Sequence, residues 1–260
     1  SDTYWGNLGY WEKAQTYPQA ARALATRLAE KAKLMEAITM VDIGFGCGDQ
    51  IQLWLETFGV ESVVGINISP QQVKLAHQRL EKPIRQGRVQ LHVDSHEYLN
   101  QLEDNHYDAI LLLDCAYHLK NREALFDVAF TKLKEGGYLA LTDFSQRQKP
   151  TNNWNAGTLK AIFSLCGIPG ENLKSRELYQ QYLEDVGYSS VDFEPIESHV
   201  FPGFIHFVEK SQVKKLLFSH FKPFMKFWLT AQFLKWAGHH ERIQYSLISA
   251  QKKVLGNRSF

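Results

Sequence analysis

Val41-Asp42-Ile43-Gly44-Phe45-Gly46-Cys47-Gly48-Asp49 is the stretch that decides the fold. It joins a short apolar run, Ile38 to Ile43, to residues 49–58, where Ile51, Leu53, Trp54, Leu55 and Phe58 recur at helical spacing. Three alternate glycines at a strand-to-helix turn let the backbone reverse sharply and let a ligand approach the main chain. The helix start behind them offers unpaired N–H groups and the positive end of a dipole. Two nucleotide-binding patterns are excluded. No Lys-Ser/Thr pair follows, as a phosphate-binding GxxxxGK[ST] loop requires, and Asp49 stands where a GxGxxG fingerprint needs its last glycine.

Outward from this turn, strands and helices alternate. Residues 17–34 carry Ala20, Ala21, Leu24 and Leu28 at helical spacing, with Pro18 in the first turn. Residues 61–68 (ESVVGINI) predict a second strand, and Ser69-Pro70 caps and opens a helix to about Leu80. Val89–Val93, Tyr107–Leu113 and Tyr138–Thr142 predict three more strands, with a helix over 121–135 that stops at Gly136-Gly137. Ser189–Ile196 and Ile243–Ala250 complete seven strands, and 203–236 reads as helical. The early strands are continuous apolar runs, the mark of a parallel sheet covered on both faces. The reading is one domain, residues 1–260, with residues 144–187 and 203–238 as helical cap insertions.

Composition is that of a globular chain: 260 residues, 44% hydrophobic and 22% charged. Cys47, Cys115 and Cys166 show no CxxC spacing, so neither a disulfide framework nor a cysteine zinc site is expected, and a reducing, cytoplasmic setting is. The segment SDTYWGNLGYW shows no basic stretch leading into an apolar run, so no secretory leader is expected. The net charge of +1 hides an asymmetry: residues 199–260 carry ten basic and two acidic side chains. Ten of the 33 aromatic residues lie in 201–236. Such a region suits nucleic acid, a membrane surface or the wall of an apolar pocket. Adjacent His239-His240 side chains point apart on most backbones, and no metal site is expected.

Together, VDIGFGCGD, GINIS at the second strand, Asp94 after the third, Asp114 after the fourth and EGGYLALTD resemble the class I S-adenosylmethionine-dependent methyltransferases. GYWEKAQTYPQAARAL, SPQQVKLA and Tyr117-His118 resemble one subgroup: sugar O-, tocopherol, coclaurine and sterol methyltransferases and cyclopropane fatty-acid synthases. The resemblance implies an α/β, Rossmann-like, seven-stranded, mostly parallel sheet flanked by helices. It implies S-adenosyl-L-methionine as cofactor and S-adenosyl-L-homocysteine as product. Cofactor residues would be Asp42 and the loop Gly44, Phe45, Gly46, Cys47 and Gly48. Asn67, where most of the class has a carboxylate, would meet the ribose with Gln72, Ile68 would pack on adenine, and Asp94 with Ser95 and His96 would meet the adenine amino group. Asp114 would close the site at the fourth strand, and residues 1–37 would close over the cofactor through Tyr4, Tyr10 and Trp11.

For the acceptor, a proton must leave an oxygen or carbon nucleophile, and the candidate bases are His118, Tyr117 and Asp143. Phe204, Phe207, Phe221, Phe224 and Trp228 are read as an aromatic lid over a small, apolar or amphipathic acceptor. Peripheral membrane contact through 201–236 is a further expectation. The alternative reading is a nucleic-acid methyltransferase guided by the basic tail. Against it stands Leu113-Asp114-Cys115-Ala116, which lacks the Pro-Pro-aromatic motif of amino-methylating DNA enzymes.

Overall fold

The computed structural model describes residues 3–36, 38–147, 163–164, 166–210, 221–240 and 243–254, with the backbone alone for 221–226 and 239–240. The chain opens with α1 (Tyr17–Lys31), started by a capping box at Thr16 and a proline in the first turn. Strand β1 (Thr39–Ile43) leads through the glycine turn into α2 (Asp49–Thr57). Next come β2 (Ser62–Asn67), α3 (Pro70–Arg79), capped by the Ser69 hydroxyl, and a short α4 (Glu81–Arg85). Strand β3 (Val89–Val93), a 3-10 turn at His96–Gln101, β4 (Tyr107–Leu112) and a second 3-10 turn at Ala116–His118 follow. Then come α5 (Arg122–Lys132), β5 (Leu133–Gln146), α6 (Arg176–Val186) and β6 (Tyr188–Pro195). Helices α7 (Glu197–Lys210) and α8 (Phe221–His240) precede β7 (Ile243–Lys252).

The sheet runs in the order β3-β2-β1-β4-β5-β7-β6. β1 to β5 pair in parallel, and β7 enters antiparallel to both neighbours. Strand order reverses between β1 and β4, and open parallel sheets bind ligands at such a switch, beyond the carboxyl ends of the strands. Two apolar cores follow from side chains alternating across the strands. One packs Leu24 and Leu28 of α1, Trp54 of α2 and Phe201 and Phe204 of α7 against Met40 and Leu111. The other packs Phe126 and Ala129 of α5 and Tyr179 and Leu183 of α6 against Val41, Ile110 and Ile248.

One element departs from its sequence reading. The helix expected over 121–135 ends at Lys132, and Leu133 already pairs with Tyr107 of β4. Gly136 has a φ of +79°, and a Cβ on Gly137 would lie 3.0 Å from the carbonyl oxygens of Asp108 and Lys134. The two glycines therefore carry a bend inside a strand rather than close a helix. Of the expected cap, residues 148–162 and 211–220 lie outside the described residues, and 176–186 form α6 on the sheet face. Among the described residues, no helix is long and apolar enough to cross a membrane.

Candidate active site

The glycine turn is built by its backbone. Gly44, Gly46 and Gly48 have φ of +78°, +61° and +91°, values that disfavour residues with a Cβ. The Gly44 N–H donates to the Ile66 carbonyl at 2.8 Å, which ties the turn to β2. A Cβ on Gly44 would lie 2.8 Å from Cys115, so the turn sits directly against the end of β4. Gly46 is different: among the described residues beyond its chain neighbours, no heavy atom lies within 4 Å of where its Cβ would stand, and the residue lines the cavity described next. Phe45 turns inward to 1% exposure and packs over Gly65.

Asp42 braces this turn from below rather than facing a ligand. Its carboxylate accepts from Gln50 Nε2 and from Trp54 Nε1, both at 2.7 Å, joining β1 to α2. Complete burial pushes its carboxyl up to about 7, against the opposing pull of the two hydrogen bonds. The folded chain then holds a proton that the unfolded chain has already released, so stability falls as pH rises from about 4 through about 7. Urea unfolding followed across that range should show this slope flattened in Asp42→Asn, and equal slopes would remove Asp42 as its source.

Above the ends of β1, β2 and β4 lies a cavity of about 270 Å³. Of the expected cofactor residues, Tyr4, Gly44, Phe45, Gly46, Cys47, Asn67, Ile68, Gln72, Asp94, His96 and Asp114 line it. Ile68 is 73% exposed, an apolar side chain held out at a strand end where a flat ring can cover it. Asn67 Nδ2 donates to Gln72 Oε1 at 2.9 Å, so its Oδ1 is the acceptor it offers elsewhere. Burial lowers the pKa of His96. Ser95 does not line the cavity, and its hydroxyl instead caps the 3-10 turn by accepting from the Glu97 N–H. Gly48 is the α2 cap and packs on Ala76 and Leu80.

Residues 4–8 cross the cavity as a strap fixed at both ends. The Tyr4 N–H donates to both oxygens of Asp49, at 3.2 and 3.1 Å, and Arg79 grips the same carboxylate at 2.7 and 2.8 Å. The Leu8 N–H donates to Asp114 Oδ2 at 2.6 Å. Asp114 also accepts from Thr142 Oγ1 at 3.0 Å and from the hydroxyls of Tyr245 and Tyr117. Burial raises its carboxyl and these donors pull it back. Tyr17 ties the strap to α1, its hydroxyl donating to the Asn7 carbonyl at 2.8 Å. Sequence pattern pointed to Asp114 but not to Asp49, Arg79, Thr142 or Tyr245, which lie 28 to 131 residues from their partners.

Tyr10 and Trp11 do not line the cavity. Tyr10 lies between Arg27 and His199, and the Trp11 ring stands 5.7 Å from Phe207 and packs on Gly203, where any Cβ would fall 2.1 Å from the indole. Both fasten the chain to α1 and α7. Phe204 and Phe207 join the same cluster, Phe207 stacking on Tyr17 at 4.8 Å and Phe204 on Phe227 at 5.8 Å, and neither reaches the cavity. Trp228 is 45% exposed on α8, while the side chains of Phe221 and Phe224 lie outside the described residues.

Of the three candidate bases only His118 lines the cavity. Its Nδ1 lies 3.0 Å from the Gly167 carbonyl, which can only accept, so Nδ1 carries the proton and Nε2 is the basic nitrogen of the neutral ring. Tyr117 is buried, its ring 4.4 Å from that of His118 and its hydroxyl on Asp114. Asp143 is wholly buried and faces the other side of the sheet. Arg122 Nη1 holds it at 2.5 Å, Tyr179 donates at 2.9 Å and the Phe144 N–H at 2.7 Å. Among the described residues no three His, Cys, Asp or Glu side chains gather as for a metal.

The comparisons with known proteins converge on one family. A family model described as a methyltransferase domain matches residues 41–141. Erythromycin 3''-O-methyltransferase of Saccharopolyspora erythraea is 31% identical over 229 residues, which cover 83% of this chain and 74% of that protein. 27-O-demethylrifamycin SV methyltransferase of Amycolatopsis mediterranei is 26% identical over 96% of this chain and 92% of that protein. The structure of the cyclopropane synthase MmaA2 from Mycobacterium tuberculosis matches 96% of this chain and 90% of that chain, with a TM-score of 0.76 at 17% identity, and shares its fold. With its glycine turn open to the cavity at Gly46, and with these relatives, the chain belongs to the S-adenosylmethionine-dependent methyltransferases.

Proposed function

We propose that this enzyme methylates a hydroxyl oxygen of a bulky, amphipathic small molecule, with His118 as the base that takes the hydroxyl proton. The single observation that carries this reading is the position of His118: it lines the cavity, and its Nδ1 lies 3.0 Å from the Gly167 carbonyl, which makes Nε2 the basic nitrogen of the neutral ring. The relatives covering most of the chain support an oxygen acceptor, since one is named as a 3''-O-methyltransferase and the other as the methyltransferase of a 27-O-demethyl compound. They favour a small acceptor over the nucleic-acid alternative.

When bound, S-adenosylmethionine supplies an electron-poor methyl carbon that needs no metal for activation. The residues that would hold it are Gly44, Phe45, Gly46 and Cys47 of the turn for the methionine part, Asn67 and Gln72 for the ribose hydroxyls, and Ile68, Asp94 and His96 for adenine. The strap at residues 4–8 would shut water out. Residues 4–8 would act as the closing segment over the cofactor, and Gly167 and Asn172 would stand beside His118 on the acceptor side. The exposed Trp228 and Leu229 of α8 suit brief contact with a membrane that holds an apolar acceptor. Three unpaired thiols suit a reducing cytoplasm.

The test is methyl transfer from labelled cofactor to a panel of hydroxylated macrolides, their glycosides and ansamycins, read by mass. One added methyl on an oxygen is expected, and transfer to nitrogen or nucleic acid alone would overturn the reading. With the acceptor so found, His118→Ala is expected to lower kcat by roughly 10²–10⁴ while cofactor affinity holds. An unchanged kcat would remove His118 from the chemistry.

A further inference from the structure

We infer that Asn172 is a positioning residue that sets the orientation and tautomer of His118, and that the buried Arg122–Asp143 pair serves to hold Asn172. The inference rests on the reading of His118 as the base.

His118 closes a short 3-10 turn, Ala116–His118, an element too brief to fix a side chain by itself. The backbone carbonyls on either side of it, those of Tyr117 and Leu119, both meet one side chain. Asn172 Nδ2 donates to the first at 3.1 Å and to the second at 2.7 Å. Both partners are carbonyls, so the amide must present its NH2 group, and each of its two hydrogens has a partner. Asn172 is 5% exposed, which makes these bonds costly to leave unmade. The same segment supplies the contact to the ring itself. Gly167, with a φ of +70°, turns its carbonyl onto His118 Nδ1. Asn172 and Gly167 thus bracket His118, one through its flanking backbone and one through its ring.

Behind Asn172 stands Asp143, one of the candidate bases from the sequence, with its partner Arg122. Arg122 Nη2 donates to the Asn172 carbonyl at 3.1 Å while Nη1 binds Asp143. The Tyr179 hydroxyl shares Asp143, and its ring lies 4.3 Å beneath the Arg122 guanidinium. Asp143 therefore reaches the site through Arg122, Asn172 and the turn, without facing the cavity. A loosened turn displaces a base whose nitrogen must meet a hydroxyl proton within a few tenths of an ångström, and misplacement by about 1 Å costs about 10²-fold in rate.

Two measurements test this. The first is nitrogen NMR of histidine-labelled protein, with the His118 signals identified by their loss in His118→Ala. The wild type should show the Nδ1–H tautomer once neutral, and the near-isosteric Asn172→Asp, which removes both donors, should show a mixture of tautomers. An Nε2–H ring in the wild type, or the same pure tautomer in both proteins, overturns the inference whatever His118 does in turnover. The second is a kinetic cycle of Asn172→Ala, His118→Ala and the double variant, with the macrolide or ansamycin acceptor returned by the panel. Asn172→Ala alone should lower kcat by about 10²-fold with the cofactor dissociation constant unchanged, and should lower it no further in the His118→Ala background. Equal losses in both backgrounds overturn the inference. Full activity in His118→Ala overturns the base assignment itself, a failure read separately from the tautomer result.

Discussion

Gly46→Leu is expected to abolish binding of S-adenosylmethionine and S-adenosylhomocysteine while the chain stays folded. The position has a φ of +61°, so a side chain there costs about 1–2 kcal/mol of backbone strain, which an otherwise intact domain tolerates. Among the described residues beyond its chain neighbours, no atom lies within 4 Å of the new Cβ. The side chain fills the cavity between the turn and the strap. Gly44→Leu is the contrasting variant: its Cβ would strike Cys115 at 2.8 Å, and the loss there is of fold as well as of binding. Calorimetric titration with S-adenosylhomocysteine, beside a thermal melt, separates the two. Wild-type affinity in Gly46→Leu would mean that the ligand does not lie against this turn.

Arg122→Ala is expected to be the most damaging single change to stability, by about 3–5 kcal/mol. Arg122 is 2% exposed and Asp143 wholly buried, so removing the guanidinium strands a carboxylate in a medium that solvates it poorly. Tyr179 and the Phe144 N–H remain as partners but carry no compensating charge. Replacing both members, as Arg122→Met with Asp143→Leu, should restore much of the loss, because a well-packed apolar pair carries no desolvation penalty. Urea unfolding measures both. A midpoint in Arg122→Ala close to that of the wild type would mean the pair is not what holds this face together. The double variant should still turn over slowly, since Asn172 has lost the donor to its carbonyl.

The architecture was legible because its signals are local. Apolar runs, Ser69-Pro70 and the alternate glycines each declare an element within a few residues, and strand ends in a parallel sheet fall where ligands bind. That is why Asn67, Asp94 and His118, which sit at or just beyond strand ends and were named through the family resemblance, line one cavity. What was not legible is which face of a strand or strap a side chain takes. Thr142 reaches Asp114 beside the cavity and Asp143, one residue on, points into the opposite core, and no local signal separates them. Tyr4 and Tyr10 are six residues apart in one segment, yet one lines the cavity and the other packs on α1. Asp49, Arg79 and Tyr245 were missed because they act through partners distant in sequence. Phe204 and Phe207 were read as part of an aromatic lid over the acceptor, but Phe207 meets Trp11 and Tyr17 of the N-terminal segment and α1, partners distant in sequence, and neither ring reaches the cavity.

The central claim is that one cavity, roofed by residues 4–8 and floored by the 44–48 turn, holds the cofactor. Amide hydrogen exchange of the whole chain, with and without saturating S-adenosylhomocysteine, tests it most directly. Slowed exchange is predicted together in residues 4–8, 44–50, 66–72 and 94–99. Bound ligand with no slowing in these segments, or slowing confined to another part of the sheet, would contradict it.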